Sequence, residues 1–200
     1  MGQEFFMNTV DNLKIKRIHK ATMDIVYSEG FDNLSLRQVA KLAKVSSGTP
    51  YVYYKDKQDL LYTLCGLCMD VVTEGFEKVI DEEDSLEEKF YAYVCHLAEK
   101  FCGGPLMVQY IVKFRKTFSF MTEELKAKYQ KLDEPLLQLC QEAIRTDLAK
   151  TSDIDLLQIM LLSPLLCMFE HMEGSEEQFN PESYEECSRL CVEAVLHKRV

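Results

Sequence analysis

The stretch from Leu34 to Leu61, LSLRQVAKLAKVSSGTPYVYYKDKQDLL, decides the fold. Ser35 is a strong N-cap, and Gln38 three residues later completes a capping box. Leu36, Val39, Ala40 and Ala43 recur at helical spacing and make one small apolar face. The pattern stops at Lys44-Val45. Ser46 or Ser47 caps a second short helix that carries Gly48, Thr49, Tyr51, Val52 and Tyr53. Asp56 caps a third, with Asp59 at the capping-box position and Leu60, Leu61 and Leu64 opening a new apolar stripe. Two helices at a steep angle around a tight turn form a helix-turn-helix, whose second helix enters the major groove of DNA.

Upstream, Asn8 to Glu29 reads as a first helix. Ile15, Ile18, Ala21, Thr22, Ile25 and Val26 give the spacing of one buried face. Lys14, Lys16, Arg17 and Lys20 cluster near its N-terminal half, as a solvated face or as phosphate contacts. Gly30 stops the helix, because glycine takes a left-handed conformation without a Cβ penalty. Phe31 and Leu34 plug the small core.

Downstream, Asp56 to about Ile80 reads as one long helix lined by Leu60, Leu61, Leu64, Leu67, Cys68, Val71, Val72 and Phe76. Gly66 and Gly75 each weaken it by roughly 1 kcal/mol relative to alanine. Asp81-Glu82-Glu83-Asp84 marks a loop, and Ser85 with Glu88 is a capping box for a helix ending at Gly103-Gly104. Pro105 opens the next helix, to residue 119. Thr122 starts another, running to about Lys150, with a kink or a restart capped by Asp133 expected at Pro135. Asp153 to Glu173 is apolar almost all round, which predicts burial on most sides, with a second subunit as the cover. Asn180 and Pro181 open a last helix to about Lys198. No β-branched alternation and no hairpin signal predicts a strand. The expected fold class is all-α.

Composition sets further bounds. At 47% hydrophobic, the 200 residues can bury a real core. No apolar run reaches the length of a membrane span, and no signal pattern opens the chain, so no membrane partner and a cytoplasmic location are expected. The net charge of −10 argues at first against a nucleic-acid partner. Its distribution matters more. Residues 1–60 carry 9 Lys and Arg against 7 Asp and Glu, or +2, and the rest carry 14 against 26, or −12. The basic balance lies with the helix-turn-helix. A domain at +2 is weakly basic, so two copies are expected to be needed for DNA affinity. The eight cysteines are expected to be reduced thiols.

Gly30-Phe31, the run Ser35-Leu36-Arg37-Gln38-Val39-Ala40, Ala43, Val45-Ser46, Gly48-Thr49, Tyr51, Tyr53-Tyr54, Lys57 and Leu60-Leu61 together resemble the N-terminal domain of the TetR/AcrR family. The resemblance runs without a gap from about Ile15 to Leu64. Two residues depart from the family pattern: Lys44 stands where the family usually has glycine, and Pro50 where it usually has an aliphatic residue. A left-handed Lys44 would cost on the order of 1 kcal/mol, which a phosphate contact from its ammonium would offset. Pro50 fits the first turn of a helix and makes the recognition helix short.

The resemblance implies a helix-turn-helix DNA-binding domain over residues 1–56 and a helical effector-binding and dimerisation domain over residues 57–200. It implies a repressor, a homodimer through the last two helices, a double-stranded operator and a small-molecule effector. No nucleophile elbow, phosphate loop or carboxylate constellation in the sequence argues for an enzyme, and no cofactor or metal is expected. The expected DNA-binding residues are Ser35, Arg37, Gln38, Lys44, Ser46, Ser47, Gly48, Thr49, Tyr51, Tyr53 and Lys57. In the family, the positions of Tyr51 and Lys57 commonly touch phosphate and that of Tyr54 is a core aromatic. The second helix lacks Arg, Asn and Gln for bidentate base contacts, so hydroxyls, thymine-methyl contacts and DNA shape are expected to carry specificity. Candidate effector residues are Tyr91, Phe101, Met107, Tyr110, Phe114, Phe118, Met121, Met168 and His171; aromatic and Met residues at this spacing also read as plain core. Their chemistry suits an apolar or amphipathic ligand. A competing regulator on the same scaffold would sense thiol chemistry or a metal through Cys65 and Cys68.

Overall fold

The computed structural model describes residues 9–81, 85–117, 122–171 and 180–197, with the side chains of residues 9–11, 81, 105, 169–171 and 181 outside that description. The described residues form ten helices and a single isolated β-bridge. The all-α expectation therefore holds. Two compact units emerge: one takes the chain as far as Cys68 together with Leu106–Met121, and the other takes Met69–Pro105 and the chain from Thr122 onward.

The first unit begins with α1 (Thr9–Asn33), which is broken at Gly30 by φ 81 and ψ 172. Ile18, Ala21, Ile25 and Val26 are buried along it. Thr22 is buried too, with its hydroxyl donating to the Ile18 carbonyl at 2.8 Å. Helix α2 (Leu36–Leu42) has the expected capping box: Gln38 N–H donates to Ser35 Oγ at 3.3 Å, and Ser35 N–H donates to Gln38 Oε1 at 3.0 Å. Its buried face is Leu36, Val39 and Ala40. Helix α3 (Thr49–Tyr53) starts later than the serines suggest: its N-cap is Gly48, and Pro50 sits in its first turn. Helix α4 (Lys57–Thr73) follows. Asp56 caps it by accepting from Asp59 N–H at 2.9 Å. Asp59 reaches one residue further back than a capping box requires, to Lys55 N–H at 2.8 Å.

Helix α7 (Pro105–Thr117) belongs to this unit from Leu106 onward. The Phe31 ring meets Tyr110 edge-on at 5.5 Å and Phe114 edge-on at 5.7 Å. Tyr62 meets Phe114 at 5.5 Å. The Tyr110 hydroxyl donates to the Leu61 carbonyl at 3.0 Å, and Lys113 donates to the Tyr27 carbonyl at 3.1 Å. Truncating a buried aromatic ring in such a core costs about 3–5 kcal/mol, so this contact set is a substantial part of the unit's stability.

In the second unit, the long helix expected from Asp56 to Ile80 is two helices. Gly75, at φ +93, ends α4, and α5 (Phe76–Asp81) begins. A Cβ on Gly75 would meet His96 Cε1 at 3.3 Å, and His96 Nε2 lies 3.1 Å from the Glu74 carbonyl. Phe76 stacks on Tyr93 at 4.7 Å. Of the acidic run 81–84, residues 82–84 lie outside the described residues. Helix α6 (Leu86–Gly103) opens on the Ser85–Glu88 capping box. Helix α8 (Glu123–Arg145) runs through Pro135 as one helix, so of the kink and the restart expected there the restart at Asp133 does not occur. Its buried side chains Leu125 and Tyr129 before the proline, and Leu136, Leu139, Cys140 and Ala143 after it, keep one continuous face. Packing of that face offsets the hydrogen bond that proline cannot donate. The helix ends at Arg145, short of Lys150, because Asp147 turns left-handed at φ 55.

Helix α9 (Ile154–His171) also contains a proline, Pro164. It is not buried on most sides within one chain. Leu157, Leu161 and Leu165 are buried, whereas Leu156, Ile159 and Met160 are 45%, 56% and 43% exposed. Helix α10 (Pro181–Val195) is capped by Asn180. Beyond it, Ala149 and Leu196 form the antiparallel bridge, closed by Lys150 N–H to the Val195 carbonyl and His197 N–H to the Leu148 carbonyl, both at 2.8 Å. A bridge this short leaves no period-two pattern in a sequence.

Candidate nucleic-acid interface

Ser35, Arg37, Gln38, Lys44, Ser46, Ser47, Gly48 and Tyr51 are exposed, and Thr49, Tyr53 and Lys57 are half-buried. All lie in the first compact unit. Several already have local duties. Gln38 closes the α2 capping box and donates from Nε2 to Glu29 at 3.4 Å. Ser46 Oγ and Thr49 Oγ1 share a hydrogen bond of 2.7 Å across the turn. Lys57 Nζ donates to the Asp32 carbonyl at 3.2 Å. Lys44 is left-handed at φ 54. The turn around it closes with Lys44 N–H to the Lys41 carbonyl at 3.2 Å and Val45 N–H to the Ala40 carbonyl at 3.0 Å. This is a helix C-terminus of the kind glycine usually occupies.

Helix α3 buries Pro50 and exposes Tyr51 at 57% and Val52 at 76%. Val52 is missing from the DNA-binding residues expected from sequence. A signal for it exists: in a short helix with Pro50 inward, the next two positions turn outward. No Cβ at Gly48 would meet any atom within 4 Å, so the start of α3 is open to close approach. A protruding valine between hydroxyl side chains can contact a thymine methyl, while the hydroxyls can bond either base edges or phosphates.

Tyr54, the C-cap of α3, is 6% exposed. Its hydroxyl lies 2.6 Å from Nε2 of His19 on α1. Burial pushes His19 down to about 4. Burial, then the Asp59 carboxylate and Tyr53, push Tyr54 up to about 12. The family resemblance puts Tyr54 in the core but gives His19 no role. The two are 35 positions apart, a separation that no local pattern bridges.

The candidate effector residues divide between the units. Met107, Tyr110 and Phe114 lie on α7 in the first, with Tyr110 and Phe114 packed in the core around Phe31. Tyr91, Phe101 and Met168 lie in the second. Phe101 is buried, Met168 is half-buried, and the Tyr91 hydroxyl donates to Glu185 at 3.3 Å. Phe118, Met121 and the His171 side chain lie outside the described residues. Cys65 and Cys68 are buried thiols outside any disulfide. Burial, then the neighbouring Cys65, push the Cys68 thiol up to about 12, away from the reactive thiolate. No group of three or more metal-ligating side chains occurs among the described residues.

Residues 18–63 match the model of the family described as bacterial regulatory proteins, tetR family. Over 76 residues the chain is 32% identical to the fatty acid metabolism regulator protein of Bacillus subtilis, spanning 38% of this chain and 39% of that protein. It is 25% identical over 164 residues to an HTH-type transcriptional regulator of Staphylococcus aureus, spanning 82% and 86% of the two chains. The crystal structure of a TetR family transcription regulator from Marinobacter aquaeolei superposes with a TM-score of 0.80 over 96% of this chain and all of that one, at 23% identity, and so shares its fold. The relatives are regulators, not enzymes. The helix-turn-helix over residues 18–63 is that of the tetR family, and the chain is similar over most of its length, in sequence or in fold, to transcriptional regulators of that kind.

Proposed function

We propose that the protein is a cytoplasmic, dimeric repressor that leaves a palindromic operator when a small apolar or amphipathic effector binds. The observation that carries this reading is the five-residue α3, which holds Tyr51 and Val52 out into solvent beside Ser46, Ser47 and Thr49. Ser35, Arg37, Lys44 and Lys57 supply phosphate contacts around it. Such contacts set position, and base-edge contacts from α3 set sequence. The functional boundary falls near residue 56. Residues 1–56 read DNA, and residues 57–200 dimerise and sense.

The homodimer forms through the last two helices, α9 and α10. Leu156, Ile159 and Met160 of α9 and Leu190 of α10 are large exposed apolar residues, and a face of this kind marks a protein contact. Two copies then hold their α3 helices one DNA turn apart, about 34–36 Å. Effector favours a state with a different spacing, and α4, which enters both units, carries the change. Effector and operator affinities are then reciprocally coupled. Acyl chains are the first effector class to test, because the Bacillus subtilis relative is named for fatty acid metabolism and Phe101, Tyr91 and Met168 are chemically suited to such a chain.

Fluorescence anisotropy tests the reading, with duplex DNA from upstream of the protein's own coding region, excess competitor and two salt concentrations. The expected result is tight, competitor-resistant, salt-weakened binding that a Tyr51→Ala, Lys57→Ala double variant loses and an acyl-chain compound releases. Binding that is absent from this and other promoter fragments, or fully competed and indifferent to the double variant, overturns the DNA-reading assignment.

A further inference from the structure

We propose that His19 is a positioning residue for the recognition helix, acting through the Tyr54 hydroxyl. The inference rests on the DNA-reading function proposed above and adds the element that aims it. Helix α3 has five residues and no side-chain cap at its N-terminus. A helix far below about 12 residues does not sustain its own geometry in water, so its direction must be imposed by neighbours. Its C-terminal neighbour is Tyr54, in extended conformation at φ −132 and ψ 131, with its N–H bonded to the Pro50 carbonyl at 2.9 Å. Whatever fixes Tyr54 therefore fixes the end of α3, and with it the direction in which Tyr51 and Val52 point.

His19 does this from α1. Its Nε2 lies 2.6 Å from the Tyr54 hydroxyl. The ring centroids are 6.1 Å apart at an interplanar angle of 50°, so the tie is an end-to-end hydrogen bond and not a stack. The same space could be filled by an apolar side chain on α1 and a phenyl ring at 54. That pair would pack and would tolerate small slides. The polar pair does not: a slide of α3 that parts the two atoms strands the hydroxyl of a buried tyrosine and the ring nitrogen of a half-buried histidine. The cost is directional, which makes the bond a register pin for a helix with few internal bonds of its own. Elsewhere along this face α1 contributes Ile18, Ala21, Ile25 and Val26, whose packing carries no such directionality.

The experiment compares wild type with Tyr54→Phe, which removes one hydroxyl and keeps the ring, with His19→Leu, with the double variant, and with His19→Gln, which restores a hydrogen-bonding end. Operator affinity is measured beside affinity for random duplex at low salt, and amide hydrogen exchange is followed at residues 51–54 without DNA. The expected result is faster exchange at those amides and an operator affinity about fivefold to tenfold weaker in each single variant, as for one lost buried hydrogen bond. Random-duplex affinity should stay within about twofold, and the double variant should be no worse than the singles, because the two residues act as one unit. His19→Gln should lie closer to wild type than His19→Leu. Unchanged exchange overturns the inference, and so does operator affinity within about twofold of wild type or losses that multiply in the double variant. A wild-type protein that binds no operator defeats the DNA-reading function instead, and the exchange comparison then decides by itself whether His19 holds α3.

Discussion

Helices α3 and α9 both expose large apolar side chains, and they do so for opposite reasons. On α3 the exposed pair is Tyr51 and Val52, on a helix of five residues that opens on Thr49 and is bordered by serines, Lys44 and Lys55. On α9 it is a face of Leu156, Ile159 and Met160 on a helix with no lysine or arginine in its 18 residues. Short apolar points among hydroxyls and cations suit a groove lined with phosphates and thymine methyls. An apolar face without a cation offers phosphate nothing and suits another protein surface. Exposure by itself therefore says little about a partner; the charge and length of the helix that bears it decide which surface it meets.

The largest effect should come from breaking the α9 side. Ile159→Glu with Met160→Glu would place carboxylates in the proposed subunit contact. Sedimentation should show a dimer dissociation constant raised at least about a hundredfold, as expected for buried, unpaired charge. Operator binding should collapse with it, while the circular dichroism of the helices stays unchanged. A dimer that survives this change would remove α9 from the interface.

Val52→Asp is the matching change on α3. It should weaken operator binding about tenfold or more by setting a carboxylate against the DNA, with the dimer untouched. Loss of dimerisation in this variant would erase the distinction between the two helices.

Lys44→Gly sharpens the picture of the turn before α3. Glycine at φ 54 should raise stability to thermal unfolding by about 1 kcal/mol. If the ammonium meets a phosphate, the salt dependence of operator binding should become shallower by about one unit of slope. More stability with an unchanged slope would mean that Lys44 makes no DNA contact.

A further effect is a pH dependence of stability. His19 is held at about 4 in the folded chain, below its usual 6.5. The unfolded chain then takes up the proton first, so stability is fully present above about 6.5 and falls as pH drops toward 4. The groups disposed around this pair are Tyr54, bonded to His19, and Asp59 and Tyr53, which act on Tyr54. His19→Leu should flatten the thermal-stability profile between about pH 6.5 and 4 relative to wild type. An unaltered profile would assign the acid sensitivity to other groups.

Features encoded by neighbours along the chain are legible in the sequence alone. The Ser35–Gln38 and Ser85–Glu88 boxes, the stop at Gly30 and the short helix around Pro50 all depend on contacts within a few residues. What escapes a sequence reading depends on distant partners. The placement of α7 with the helix-turn-helix is made by Phe31, Tyr62 and the Leu61 carbonyl, far away in sequence. The passage of α8 through Pro135 is decided by which side chains find a core, not by the proline alone. Gly75 reads as a weak point of a helix, but only His96, packed against it, reveals that the chain turns left-handed there. The exposure of the candidate DNA-binding residues follows from the same local patterns as the caps. The candidate effector residues are not legible as a set, because those on α7 and those on α6 and α9 fall in different units.

If α4 carries the effector's change as proposed, the break at Gly75 makes it a lever arm of defined length. Its 17 residues, at about 1.5 Å each, make a rod of about 25 Å. Rotating that rod by about 10° around its Gly75 end swings the Lys57 end by about 4 Å, somewhat more than the ~3.4 Å rise per nucleotide of a DNA strand. A regulator with a continuous helix in this place would have to drag α5 through the same arc. On the mechanism proposed above, the fulcrum would be a residue without a side chain, and a tilt of that size would carry a reading helix by about one base pair.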